Sequence, residues 1–271
     1  MNRFAFHRSL APVLLGASIL TLTACDDGVD EDAAELETAT TDGEAQAMAR
    51  AIEPIDFADL ELGPRIAGPQ GTEFKTSLSN DAGIFADITS YVACPSGMEE
   101  CDPATAPEGT IYTYVHTVYP GEDMDPSTGA GDGPDDMDVE AATAFFMGSP
   151  AHGFMGHAGF SKDEAVSAAG EGLQVAITCD EQGALAWTVN AGDGGDQWED
   201  AEPLTFFWQS TLPPEGPAGV YRIRANDVVA SGDGPYPAAD PEAINVCLHG
   251  GPNAPPVNPR GDMNDIAMVQ R

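Results

Sequence analysis

The chain has 271 residues, 42% of them hydrophobic, and carries 45 acidic side chains against 10 lysines and arginines, for a formal charge of -35. So anionic a surface repels phosphate backbones and anionic headgroups, which excludes nucleic acid as a partner. The hydrophobic content supports a real core, while 30 glycines and 22 prolines argue for short strands joined by many turns.

Arg3 and Arg8 precede an apolar stretch from Leu10 to Leu22, LAPVLLGASILTL, broken by Pro12. The run is too short to cross about 30 Å of hydrocarbon comfortably as a permanent helix. A positive start followed by such a run has the layout of a signal peptide. It ends in Leu22-Thr23-Ala24-Cys25 and turns abruptly acidic at Asp26. That tetrapeptide resembles the lipobox of bacterial lipoproteins, a likeness confined to the first 25 residues. The resemblance implies that residues 1–24 are removed and that Cys25 is acylated. Two or three acyl chains, at about 0.8 kcal/mol per buried CH2, hold a protein on a membrane where one chain is marginal. The expected location is therefore the cell envelope, lipid-anchored on the periplasmic side or at the cell surface. Loss of Arg3 and Arg8 with the leader takes the charge from -35 to -37.

Residues 25–52 read as an acidic, flexible tether, because Asp26 to Arg50 holds nine acids and no aromatic side chain. Within it, Thr41 or Asp42 would cap a marginal helix over Glu44 to Ile52. The folded domain is expected over residues 53–250. Strands are predicted at Glu73 to Ser77, at Gly83 to Val92 and at Thr110 to Tyr119. The last, TIYTYVHTVY, carries large groups on both faces and reads as a central strand. The segment Phe145 to Phe160 (FFMGSPAHGFMGHAGF) reads as a buried, glycine-rich loop; its His152, Met155 and His157 are donors of the kind that suit copper or zinc.

Ser161-Lys162-Asp163-Glu164 has capping-box spacing and opens one short helix that Gly170 ends. Leu173 to Cys179 and Ala184 to Val189 form a hairpin across Asp180 to Gly183. Pro203 to Thr211 and Gly219 to Ala225 form a second strand pair across Pro213-Pro214-Glu215-Gly216. The tail, residues 251–271, is rich in Pro and Asn and reads as disordered. These elements predict an all-β fold, an antiparallel β-sandwich of immunoglobulin-like or jelly-roll type.

With Cys25 acylated, Cys94, Cys101, Cys179 and Cys247 remain, an even number suited to two disulfides in an oxidising compartment. Of three pairings, Cys94 with Cys101 across a tight loop and Cys179 with Cys247 is favoured. Asp193, Asp196, Glu199 and Asp200 gather carboxylates among glycines, the oxygen-rich arrangement calcium requires, with Trp198 as an anchor for the loop. Otherwise no cofactor is expected. GxSxG, HExxH and GxxxxGK[ST] are absent, so no catalytic residue is assigned. Trp187, Trp198 and Trp208 suit a sugar in principle, but three tryptophans in a sandwich more often pack its core. The function expected is a non-catalytic binding or structural module with a protein or glycan partner. The alternatives are a hydrolase that brings the Asp193 to Asp200 loop together with His152 or His157, and a calcium-stabilised adhesion module.

Overall fold

The computed structural model describes residues 50–67, 73–121, 137–192, 195–240 and 242–248, all within one compact unit, Ala45–Arg271. The leader, Cys25, most of the tether, Asp193 and the 251–271 tail lie outside the described residues. The fold is an all-β, sandwich-like sheet with one short α-helix, as expected. In chain order the strands are β1 (Arg50–Ile52), β2 (Ile55–Asp56), β3 (Leu62–Arg65), β4 (Phe74–Asn80), β5 (Gly83–Pro95), β6 (Tyr112–Pro120), β7 (Ala142–Met147) and β8 (Phe154–Phe160). Then follow α1 (Lys162–Ala169), β9 (Gln174–Cys179), β10 (Leu185–Asn190), β11 (Leu204–Ser210), β12 (Pro214–Ala225) and β13 (Val228–Pro237).

The strands join in the order β1-β9-β10-β7-β12-β13-β4-β5-β6-β11-β8-β2, with β3 added to β5. Pairing is antiparallel except between β2 and β8. A twisted ribbon this long curls and packs on itself. Phe206 of β11 therefore stacks on Phe145 of β7 at 5.1 Å and meets Trp187 of β10 at 5.8 Å. Phe145 also stacks on Tyr221 of β12, and Tyr114 of β6 stacks on Trp208 of β11 at 4.5 Å. All three tryptophans are buried in this layer and none is presented to a ligand. As predicted, β6 is central, flanked by β5 and β11.

Four expectations change. Arg50–Ile52 is a strand paired with β9, so the fold begins before residue 53 and the helix envisaged to Ile52 does not reach those residues. Phe145 to Phe160 is a loop only over 148–153: its ends belong to β7 and β8, and Gly156 and Gly159 lie within the strand. Gly159, in particular, lets the β2 backbone approach, since a Cβ there would lie 1.9 Å from the Ile55 carbonyl oxygen. β11 and β12 do not pair with each other; β11 lies between β6 and β8, and β12 between β7 and β13. Finally, the helix cap is only half a capping box. Ser161 accepts from the Glu164 N–H at 3.3 Å, but the Glu164 carboxylate accepts from the Thr205 N–H at 2.6 Å instead of turning back, which ties α1 to β11.

The N-terminal segment runs from β1, on β9 at one end of the ribbon, to β2, on β8 at the other, with Pro54 between them. On the same seam, Val246 N–H donates to the Phe154 carbonyl, Arg50 donates to the Val246 carbonyl and Asn245 donates to the Gly183 carbonyl. Cys247 is disulfide-bonded to Cys179 and Cys94 to Cys101, the favoured pairing. The Cys179–Cys247 bond closes a span of 68 residues, which on the chain-entropy account stabilises the fold by roughly 4 kcal/mol. Replacing both with serine is expected to remove about that much from the urea-unfolding free energy and to expose residues 242–248 to proteolysis. A loss under about 1 kcal/mol, at the low end of disulfide effects, would show that the clip holds by its hydrogen bonds alone.

Candidate functional site

Alternation along β11 sends Phe206 and Trp208 into the core and Phe207 and Gln209 to the opposite face. On that outer face Gln209 is paired with Thr113 of β6. Its other neighbour, β8, is irregular: Trp208 pairs with Ala158 but Ser210 with Phe154, so Met155, Gly156 and His157 together face Gln209. Such a bulge re-aims side chains. Gly156 makes it possible with φ of 95°, a conformation that favours glycine.

Met155 and His157 consequently line a cleft of about 290 Å³ with Thr113 and Gln209. Its other walls are Leu60, Glu61 and Leu62, together with Pro95 and Ile111. Three contacts hold the Leu60 to Leu62 segment in place. Phe57 packs on Phe207, and Ser96 donates its N–H to the Glu61 carbonyl and its hydroxyl to the Glu61 carboxylate.

The Gln209 amide N–H donates to the Thr113 hydroxyl at 3.1 Å, and its carbonyl oxygen lies 3.1 Å from His157 Nδ1. A carbonyl only accepts, so Nδ1 carries the hydrogen, and in the neutral ring Nε2 is the acceptor. The cleft thus combines apolar walls with one oriented imidazole acceptor, an exposed thioether and a carboxylate.

The other predicted groups fall elsewhere. Trp198 anchors the acidic loop as expected, its indole donating to the Glu202 carbonyl at 2.7 Å and its carbonyl accepting from Ala142. Asp196 accepts from the Gln197 N–H, and the Glu199 N–H donates to the Glu202 carboxylate. Burial raises the Glu202 pKa, the Glu199 N–H opposes this, and the charges of Glu199 and Asp196 add to it. Glu202 is a member of this cluster that spacing alone did not reveal. Among the described residues, no three His, Cys, Asp or Glu side chains are arranged to hold a metal ion. Ala201 sits on Pro120 at one end of β6, and Thr113 is seven residues away toward the other, roughly 23 Å at strand spacing. The acidic loop and His157 therefore do not share a cleft. His152 lies beside Tyr236, with ring centres 6.0 Å apart, and its carbonyl accepts from the Ser210 hydroxyl.

Comparison with protein-family models, curated proteins and solved structures finds no match for this chain.

One histidine is structural. His116 of β6 is fully buried against Tyr221, 4.2 Å between ring centres, and its Nδ1 shares a 2.9 Å hydrogen bond with the Ser90 hydroxyl. Its Nε2 has no hydrogen-bond partner, and the Trp208 indole N–H, which approaches the Tyr221 oxygen, also makes no hydrogen bond. Burial lowers the His116 pKa to about 3 and drives the Tyr221 and Tyr114 hydroxyls far above their usual range. The folded state thus binds fewer protons than the unfolded chain between about pH 6.5 and 3. His116 leaves stability intact above that window and subtracts from it as the pH falls, by up to ~1.4 kcal/mol per unit. Relative to His116→Phe, the wild-type chain is expected to lose an additional 2–3 kcal/mol or so between pH 7 and pH 4.5 in urea unfolding. Parallel pH profiles for the two proteins would show that His116 is solvated and titrates normally.

Proposed function

We propose that this chain is a lipoprotein of the bacterial cell envelope, tethered through Cys25, whose β-sandwich binds a small ligand in the cleft between β8, β11 and the Leu60 to Leu62 segment. The observation that carries the binding part is the Thr113–Gln209–His157 chain, which orients the His157 ring in a cleft with apolar walls. Apolar lining with a few placed polar groups is the usual composition of a small-ligand site. The reading is non-catalytic because the sequence carries no GxSxG, HExxH or GxxxxGK[ST] motif and the acidic loop lies at the other end of β6 from His157. The Gln209 amide orients the imidazole in the cleft.

Two features support an extracytoplasmic address. The four cysteines from Cys94 to Cys247 are consumed by two disulfides, which are bonds of oxidising compartments. That leaves the lipobox cysteine as the odd fifth, consistent with a separate fate for it. The anionic charge keeps the tethered domain hydrated and clear of anionic headgroups.

The test is fractionation of the native host with mass spectrometry of the N-terminal peptide. The wild-type chain is expected in the membrane fraction, beginning at Cys25 with two or three acyl chains, and Cys25→Ser is expected to move to the soluble fraction. An intact leader, or a Cys25 without acyl chains, would overturn the tether.

A further inference from the structure

The geometry of the β8 bulge points to copper as the ligand of this cleft: we propose that Met155 Sδ and His157 Nε2 bind one soft copper ion there, Cu(I) in preference to Zn(II). The inference rests on the cleft being the binding site and names what it takes.

Met155 and His157 are two residues apart on a strand, so their Cα atoms are separated by no more than about 7 Å. Both line the same cleft and both are exposed, Met155 at 38%. A methionine in this fold would ordinarily fill the core, as buried Met147 does. Here the thioether is turned to solvent one residue away from a glycine with positive φ, beside an imidazole.

The imidazole is prepared as a ligand. A metal-binding histidine donates its second N–H to a neighbouring acceptor, which fixes both tautomer and ring direction. Gln209 accepts from His157 Nδ1 at 3.1 Å, and Thr113 in turn holds Gln209. In the neutral ring this leaves Nε2 as the acceptor, on a residue that lines the same cleft as Met155.

Donor type selects the ion. Calcium and magnesium require oxygen donors almost exclusively. Thioether sulfur is a soft donor that favours Cu(I), and imidazole accepts copper well. Glu61 lines the same cleft and offers a carboxylate oxygen as a third donor, its carboxylate also accepting from Ser96. Leu60, Leu62 and Ile111 form an apolar rim, and the net charge of the chain favours arrival of a cation. His152, which the sequence places with these two donors, is turned toward Tyr236 and takes no part.

The test uses the full acylated chain in detergent, with its disulfides intact. It is titrated anaerobically with Cu(I) against a competing chelator, and separately with Zn(II), while the Met155 methyl and the imidazole signals are followed by NMR. One equivalent of Cu(I) is expected to shift the Met155 and His157 resonances together. Met155→Leu is expected to weaken Cu(I) at least tenfold and His157→Asn to abolish it, with His152→Asn unchanged. Urea unfolding of each variant establishes that it is folded. Wild-type affinity in both Met155→Leu and His157→Asn, shifts at His152 instead, or Zn(II) binding as tight as Cu(I) would each overturn the proposal. The lipid tether is judged separately by fractionation, so an acylated chain that ignores copper sinks this inference alone.

Discussion

A sheet of many strands in one line has two edges, and each edge is a row of backbone donors and acceptors that must be paired or covered. This fold meets that requirement by bringing the edges to a common seam and stitching them there. β1 adds to β9 and β2 adds to β8 within one short run of chain, and Pro54, which has no N–H, occupies the crossing between them. From the other end of the sequence, Asn245 and Val246 bond to backbone carbonyls on both sides, and Cys247 is fastened to Cys179. Gly159 is required at the seam because any side chain there would collide with the Ile55 carbonyl. The Gly159 carbonyl also accepts from the buried Trp187 indole, so the seam is tied to the core as well as to its neighbouring strand.

The same closure creates the outer site. Holding β8 against β2 and the Val246 segment fixes both ends of a strand that carries two more residues than its β11 partner can match. The surplus is expelled as the bulge at Met155 to His157. Behind it, Trp208 stacks on Tyr114 and Phe206 stacks on Phe145, so the strand that carries Gln209 is clamped from within. A rigid interior strand presenting a polar side chain to an irregular neighbouring strand is a sound way to orient an imidazole without relying on a flexible loop.

The interior also bears a cost. His116 occupies a fully buried place with one nitrogen unpartnered, and an unpaired buried polar atom carries a desolvation penalty of about 1–3 kcal/mol. Its surroundings, Tyr221, Phe145 and Ser90, accommodate the neutral ring only. The buried half of the fold is thus suited to neutral conditions, whereas the acidic loop around Trp198, at the far end of β6, stays where water can screen its charges.

The strands Gly83 to Val92 and Thr110 to Tyr119, the hairpin after Leu173 and the helix opened by Ser161 were legible because each is specified by neighbours in sequence: alternation, turn residues and a cap. The pairing of Cys94 with Cys101 was legible for the same reason, and that of Cys179 with Cys247 followed by elimination. Phe145 to Phe160 was misread at its ends because glycine carries the same signal whether it makes a loop or relieves a crowded strand. Partnership between strands was also out of reach, since β11 and β12 adjoin in sequence yet bond to different neighbours. The site belongs to this second class. His157 and Gln209 are 52 residues apart and Gln209 and Thr113 are 96 apart, so no spacing announces them. Local residues determined which segments are strands and which cysteines pair; only the closing of the sheet decided which histidine is a core ring and which lines the outer cleft.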